Sequence, residues 1–535
     1  KLSLLGKRWT PPKSSGILIE DLKRLRKIEE VELHPPETLC DLPRAVERIQ
    51  QAIQNDERIL IVGDYDADGV CASVILFKTL EELRAKVSVR LPHRSKHGYG
   101  LNEQFIQEAQ DLKVSLIITV DNGISAHKEI ELANEFGIDV IVTDHHLPPQ
   151  QLPNAYAIIN PRRPDCPYPN KDLSGAGVAF KLALALLINQ ELRTANQELK
   201  SELLALATIG TVADVCSLTG ENRALVKAGL AKIAESKNIG LRAILKTSGL
   251  DKSISAEDVG FRIAPRLNAA GRLDDALLAF QTLINGKGAQ QLEQLNLDRR
   301  QLTEKMLTEA EESLGEIADK RILIASGANF HPGVIGLAAG RLAEKYHRPT
   351  IVMSAEKGML TGSCRSPLPN FNITEALAEL EDLLTKFGGH SAAAGFTLLT
   401  ENREAFAKRL TEIAENKIQA EELIPVLYLD LEVSEADLNF KLLSDLQKLA
   451  PFGAGNSEPI LLWKSAPLSE VRTVGSDSSH LRLKVGKRKS PAIAFRFGEF
   501  AEEISKRKEV DLAFTLAENI WNGSRELQLK ITDLI

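Results

Sequence analysis

Arg58-Ile-Leu-Ile-Val-Gly63, then Asp64-Tyr-Asp-Ala-Asp-Gly69, then Val70 through Arg84, reads as a strand, an acid-rich turn and a helix. An aliphatic, β-branched run is what a strand buried on both faces requires, whereas the apolar residues after Val70 recur at helical spacing. Working outward, the same alternation repeats. Val87–Leu91, Leu116–Val120, Val140–Thr143 and Tyr156–Ile159 are further strands, with a helix expected over Ala126–Phe136. Strands alternating with helices predict an α/β parallel sheet covered on both faces.

Further along, Ala289–Leu314 contains neither Gly nor Pro and is rich in Gln, Glu, Leu and Arg, which predicts one long connecting helix. A second, smaller α/β domain is expected from the strands Arg321–Ala325, Thr350–Met353 and Leu360–Cys364 and a helix near Gly333–Tyr346. After the charged stretch Glu415–Glu422 come short alternating runs: Val426–Leu431, Pro459–Trp463, His480–Val485, Ala492–Phe495, Asp511–Leu516 and Glu526–Ile531. These fit an OB-like β-barrel. The expected division is an N-terminal segment 1–45, a catalytic domain 46–225, a helical region with the connecting helix 226–318, the second α/β domain 319–415 and the barrel 423–535.

A chain of 535 residues exceeds a single core. Hydrophobic residues at 43% and charged residues at 26% are globular values, and no apolar run is long enough for a bilayer. Lys1–Thr10 lacks the pattern of a secretory signal, and Cys40, Cys71, Cys166, Cys216 and Cys364 form no CxxC pair. The expectation is a cytoplasmic protein without disulfides or a zinc ribbon. A net charge of −7 offers no global attraction to nucleic acid, so binding must come from local basic surface.

The acidic residues fall where a parallel sheet gathers them. Asp64, Asp66 and Asp68 follow the first strand, Asp121 of Asp-Asn-Gly123 the third, and Asp144-His145-His146 the fourth, so all reach the carboxyl edge where ligand crevices form. Carboxylates this close repel unless cations neutralise them, and an oxygen-rich set with imidazoles suits Mn²⁺ or Mg²⁺. Two ions roughly 3.5–4 Å apart imply activation of water for phosphoester hydrolysis. A calcium loop is a poor fit, since its closing Glu is here Ile75. Taken singly, Asp64 or Asp121 reads better as a helix cap or turn former.

Asp-Tyr-Asp-Ala-Asp-Gly, Asp-Asn-Gly, Thr-Asp-His-His and Gly210-Thr-Val-Ala-Asp-Val215, in that order, resemble the motifs of the DHH phosphoesterases. The resemblance implies metal ligation by Asp66, Asp68, Asp121, His145 and Asp214, with Asp64 close by, and a catalytic pair Asp144 and His146 in which His146 faces the scissile phosphate or positions water. Some members carry a His where this chain has Val62.

Later segments resemble the RecJ branch: Leu173–Lys181, Arg266–Arg272, Ser363–Ser366, Gly388-Gly389-His390 and Ala450–Asn456. That branch implies a 5′→3′ exonuclease on single-stranded DNA, acting in repair and recombination as a monomer with a single-strand-binding protein and a helicase as partners. Arg365 with Ser363 and Ser366, and Gly388, Gly389 and His390, make a candidate phosphate clamp, although a Gly pair alone reads as a tight turn. Arg266, Asn268 and Arg272 are candidates for backbone phosphates, or equally for caps and salt bridges, and Arg94 for the 5′ phosphate. On the barrel, His480, Arg482, Lys484, Lys487, Arg488 and Lys489 form a basic cluster beside Phe495 and Trp521. The alternatives are a phosphodiesterase of short oligonucleotides or cyclic dinucleotides with the same centre, and a DNA-binding scaffold without catalysis.

Overall fold

The computed structural model describes residues 2–12, 31–94, 96–188, 195–251, 253–475, 477–521 and 524–535. The chain forms two compact units, one of residues 27–299 and 450–457, the other of residues 1–26, 300–449 and 458–535. The first strand, β1 (Arg8–Trp9), belongs to the latter.

In the unit of residues 27–299, β2 (Arg58–Val62), β3 (Lys86–Arg90), β4 (Leu116–Val120), β5 (Asp139–Thr143) and β6 (Ala157–Ile159) form a parallel sheet in the order β3-β2-β4-β5-β6. Side chains alternate across it. Ile59, Ile61, Ile118 and Ile141 enter one core, while Leu60, Val62, Ile117 and Val140 enter the core on the opposite face. This is why the strands read as unbroken apolar runs rather than as an in-out pattern.

The helix after β2 spans Ala67–Glu82, starting inside the acidic motif rather than at Val70. Asp66 caps it, accepting from the amides of Asp68 at 2.9 Å and Gly69 at 3.0 Å. Asp68 is therefore already on the helix and is carried into the core with Val70, Cys71 and Val74. The long helix has the expected bounds, Ala289–Leu314.

In the other unit, β7 (Leu323–Gly327), β8 (Thr350–Glu356), β9 (Met359–Arg365), β10 (Leu384–His390) and β11 (Ala393–Leu399) form a mixed sheet in the order β10-β11-β9-β8-β7. Gly388 and Gly389 are not a turn. They lie in the edge strand β10, opposite Gly395 and Ala394, and a Cβ on Gly389 would come within 2.4 Å of the Ala393 carbonyl oxygen.

The C-terminal strands close a barrel. β12 (Val426–Leu427) stays outside it and pairs with β1. β13 (Leu431–Glu432), β14 (Leu461–Val474), β15 (His480–Val485), β16 (Ser490–Ala494), β17 (Glu509–Trp521) and β18 (Ser524–Leu534) run in the order β13-β14-β15-β16-β18-β17, and β14 also pairs with β17. The expected strand Val426–Leu431 is thus two. The N-terminal segment 1–45 is divided as well: Trp9 Nε1 donates to Asp533 at 3.0 Å and Leu4 N to the Leu534 carbonyl, while the helix Leu42–Gln54 packs in the sheet unit. Residues 450–457, expected with the barrel, belong to the sheet unit, where Leu218 N donates to the Ala454 carbonyl at 2.7 Å. Pairings between such distant segments leave no local pattern.

Candidate metal centre

Three strand ends deliver the centre. Asp64 follows β2 after Gly63 and is buried; the backbone of Gly69 comes so close that a Cβ there would stand 2.8 Å from the Asp64 Cα. Gly in that motif position is a packing requirement. Asp121 follows β4 in a left-handed conformation, φ 62°. Its neighbour Asn122, fully buried, donates to the carbonyls of Val62 and Val120 and accepts from Leu101 N, which ties the ends of β2 and β4 together. Asp68 accepts from Gly175 N at 2.7 Å and Ala176 N at 3.0 Å, at the start of the helix Gly175–Ile188. A Cβ on Gly175 would lie 2.5 Å from Asp121, and one on Gly210 2.3 Å from Asp68 Oδ1.

The donor atoms converge without satisfying one another. His145 Nε2 is 3.0 Å from Asp121 Oδ1 and 4.0 Å from Asp68 Oδ2, and His145 Nδ1 is 3.8 Å from Asp214 Oδ2. Despite the 3.0 Å approach, the alignment is not that of a hydrogen bond, and Asp64 Oδ1, Asp121 Oδ1 and both His145 nitrogens are buried without a partner. A buried polar atom left unpaired costs about 1–3 kcal/mol, so several around one point fit a cation. Asp64, Asp66 and Asp121 offer one group of donor atoms within 4.8 Å of one another; Asp121, His145 and His146 offer a second; His145, Asp214 and Cys216 a third.

Electrostatics agree. Burial pushes the carboxyls of Asp64, Asp68, Asp121 and Asp214 above the usual range. The charge of Asp66 adds to this at Asp64, that of Asp214 at Asp68, and that of Asp68 at Asp121, while His145 opposes it at Asp214. Burial also lowers His145, which favours the neutral imidazole that a metal ligand must be.

Asp144 is committed to its neighbours in the fold. It is buried, and its oxygens accept from Ile124 N, His145 N, His146 N and His146 Nδ1, the last at 2.7 Å. Against the effect of burial, this contact raises His146 to about 9. Tyr99, missed in the sequence, donates to the Asp121 carbonyl at 2.9 Å and stands edge-on to His146 at 5.9 Å. Cys216, whose Sγ donates to Asp214 Oδ2 at 3.1 Å, stands beside the centre without any CxxC pattern to announce it.

Among the residues expected to bind DNA in this unit, Arg94 lies over the ring of Tyr65 at 4.2 Å, and its charge counters the rise at Asp64. Arg266 is instead buried structure: it pairs with Glu293 and donates to the carbonyls of Arg262 and Thr247. Asn268 is also committed, accepting from Ala67 N at 2.8 Å and so fixing the motif from the neighbouring helix Ala264–Leu273. Gly271 on that helix abuts the Tyr65 carbonyl, which explains the run through Arg272, whose charge reaches Tyr65.

In the other unit, Arg365 Nη1 donates to Ser363 Oγ at 3.2 Å and to the Cys364 carbonyl at 2.7 Å, and a Cβ on Gly336 would stand 3.2 Å from Arg365 Nη2. Ser366 is buried, and its hydroxyl closes a turn with Leu368. His390 is exposed at the end of β10. On the barrel, Arg472 faces Arg482 across β14 and β15, and Ile493 links Arg482 to Lys530 across β16 and β18. Phe495 is exposed and stands edge-on to His480 at 5.3 Å. Arg488, assigned to the basic cluster, is held by Glu435, and the Trp521 side chain lies outside the described residues.

Sequence profiles match three segments: "DHH family, N-terminal domain" over residues 58–211, "DHHA1 domain" over 319–416 and "RecJ OB domain" over 429–533. The Bacillus subtilis protein "Single-stranded-DNA-specific exonuclease RecJ" is 39% identical over 99% of this chain and 67% of its own length. The Escherichia coli protein of the same name is 36% identical over 94% of this chain and 91% of its own. The crystal structure of Thermus thermophilus RecJ in complex with Mn²⁺ superposes with a TM-score of 0.82 at 31% identity, covering 99% of this chain and 79% of that one. With motifs, fold and donor geometry in agreement, the chain belongs to the RecJ family of DHH phosphoesterases.

Proposed function

We propose that the chain is a metal-dependent exonuclease that hydrolyses phosphodiester bonds of single-stranded DNA from the 5′ end, with two Mn²⁺ or Mg²⁺ ions, in repair and recombination. The observation that carries the reading is the convergence of Asp64 Oδ1, Asp121 Oδ1 and both His145 nitrogens, buried and unpartnered. When bound, the ions supply charge neutralisation and a more acidic water. Asp64, Asp66, Asp68, Asp121, His145 and Asp214 would hold them.

The chain's own residues supply the rest. His146, hydrogen-bonded to Asp144, which raises its pKa, is suited to bind a non-bridging phosphate oxygen or to give a proton to the departing oxygen. Arg94 is suited to the terminal phosphate, since a guanidinium fork matches its oxygens. A clamp that reads a 5′ phosphate in every round requires each cut to leave one. The bond broken is therefore P–O3′: phosphorus gains the water oxygen and the 3′ oxygen gains a proton. The row Arg472, Arg482 and Lys530, with Phe495, suits an unpaired strand.

The setting that fits is a monomer in the cytoplasm, working on strands opened by a helicase and covered by a single-strand-binding protein. No helix among the described residues is long and apolar enough to cross a membrane. The test is digestion, with Mn²⁺, of single strands labelled at either end and bearing 5′-phosphate, 5′-hydroxyl or a blocked 5′ end, beside duplexes and dinucleotides. Early release of the 5′ label, with 5′-phosphate preferred, supports the reading. Shortening from the 3′ end would reverse the polarity, and hydrolysis confined to dinucleotides would favour the short-oligonucleotide alternative.

A further inference from the structure

His145 turns its two ring nitrogens to different neighbours. Nε2 faces Asp121 Oδ1 at 3.0 Å, whereas Nδ1, buried and without a hydrogen-bond partner, faces Asp214 Oδ2 at 3.8 Å. Cys216 places its Sγ 3.1 Å from that same oxygen, and the nitrogen, oxygen and sulfur donors all lie within 4.8 Å of one another. The backbone imposes this. The helix Ala195–Ala213 ends just before Asp214, Cys216 N folds back to the Thr211 carbonyl at 3.3 Å, and Val215 adopts φ 58° with its side chain in solvent, so its neighbours on both sides turn inward.

We propose that His145, Asp214 and Cys216 form a site for a thiophilic divalent cation of the zinc class. The site lies on the Nδ1 side of His145, and its occupation withdraws Asp214 from the oxygen-rich centre and inhibits hydrolysis. The inference rests on His145 and Asp214 being metal-facing groups.

The donor chemistry distinguishes this site from its neighbour. Asp64, Asp66 and Asp121 offer oxygen alone and suit hard cations, whereas an imidazole, a carboxylate and a thiol suit zinc. Zinc bonds of roughly 2.0–2.3 Å in a tetrahedron put ligand atoms roughly 3.3–3.8 Å apart. The 3.1 Å and 3.8 Å separations lie close to that range, so small side-chain shifts suffice. Three protein donors leave a fourth position for water. Equal supplies of zinc and manganese would favour zinc here, since affinity for a common site rises along that order. In the metal-free protein the thiol keeps its proton, burial and the Asp214 charge both raising it. Binding releases that proton to solvent, and no electrons move.

The same contact also exists as a plain S–H donation to Asp214, and the experiment separates the two. Metal-free full-length chain is titrated with Co²⁺, whose thiolate complexes absorb intensely in the near ultraviolet, and then back-titrated with Zn²⁺. The expected result is a band in the wild type that Zn²⁺ removes, that is absent from Cys216→Ser and that survives in Cys71→Ser, the other buried thiol near Asp68. Zn²⁺ affinity, measured against a chromogenic chelator, should fall at least tenfold in Cys216→Ser. Co²⁺ bound without the band in the wild type, or a band persisting in Cys216→Ser, overturns the zinc site and leaves the oxygen-rich centre standing. Failure of the wild type to bind any Co²⁺ overturns both.

Discussion

His145 Nε2 and Asp121 Oδ1 lie 3.0 Å apart, buried, and share no hydrogen bond. Two groups held this close without bonding are arranged for a third. Asp121→Asn keeps the shape and tolerates φ 62°, because Asn is among the few residues at ease in that conformation. Turnover of single strands with Mn²⁺ should fall by at least about a thousandfold, a loss of about 4 kcal/mol of transition-state stabilisation. The circular dichroism spectrum should be unchanged. Turnover within tenfold of the wild type would remove Asp121 from the centre.

Stability without metal should fall as pH rises. Asp64, Asp68, Asp121 and Asp214 all have carboxyls raised by folding. A group with a raised folded pKa binds its proton more tightly in the fold, so its contribution is complete below the unfolded value near pH 4 and is lost as pH climbs through the folded one. With chelator present, the melting temperature should therefore decline from pH 5 to pH 8. Mn²⁺ at about a hundred times its dissociation constant should restore about 2.7 kcal/mol. A melting temperature that rises with pH in chelator contradicts this.

Gly210→Ala should damage the centre from behind. The new methyl would meet Asp68 Oδ1 at 2.3 Å and Ala176 Cβ at 2.4 Å, and neither the helix nor a buried carboxylate can give way easily. Overpacking of this kind costs about 1–3 kcal/mol. Calorimetric Mn²⁺ affinity should drop about tenfold or more, with a loss of several degrees in melting temperature. Wild-type affinity would show that Asp68 is not held by this packing.

Neutralising Arg472, Arg482 and Lys530 to Gln should weaken binding to long single strands and flatten its salt dependence. Each phosphate contact on a single strand contributes about 0.7 to the slope of log affinity against log salt, so three predict a change of about 2. Fluorescence anisotropy across a salt series measures it. An unchanged slope would assign this face of the barrel to another partner.

What the sequence made legible follows from how each feature is encoded. The sheet, the Asp-Tyr-Asp-Ala-Asp-Gly turn and the helix Ala289–Leu314 are written in local patterns, and RecJ-like exonuclease character in the order of the motifs. The roles of single residues are written in packing. Nothing local in the sequence shows that Arg266 pairs with Glu293 or that the Ser366 hydroxyl closes a turn with Leu368. Asp144 shares a tripeptide with His145 and His146, and nothing in that tripeptide shows that its oxygens accept from amides and from His146. The row through Arg472, Arg482 and Lys530 was invisible because strand register, not spacing, assembles it.

The bond from Trp9 to Asp533 and the pairing of β1 with β12 set the order of manufacture against the order of assembly. Residues 2–10 leave the ribosome hundreds of residues ahead of the segments they grip, and at about 5–20 residues per second they wait tens of seconds unpaired. The parallel sheet, whose strands lie within residues 58–159, meets no such delay. The nascent chain can thus complete the sheet whose ends carry Asp64, Asp121 and Asp144 while the barrel still lacks its final seam.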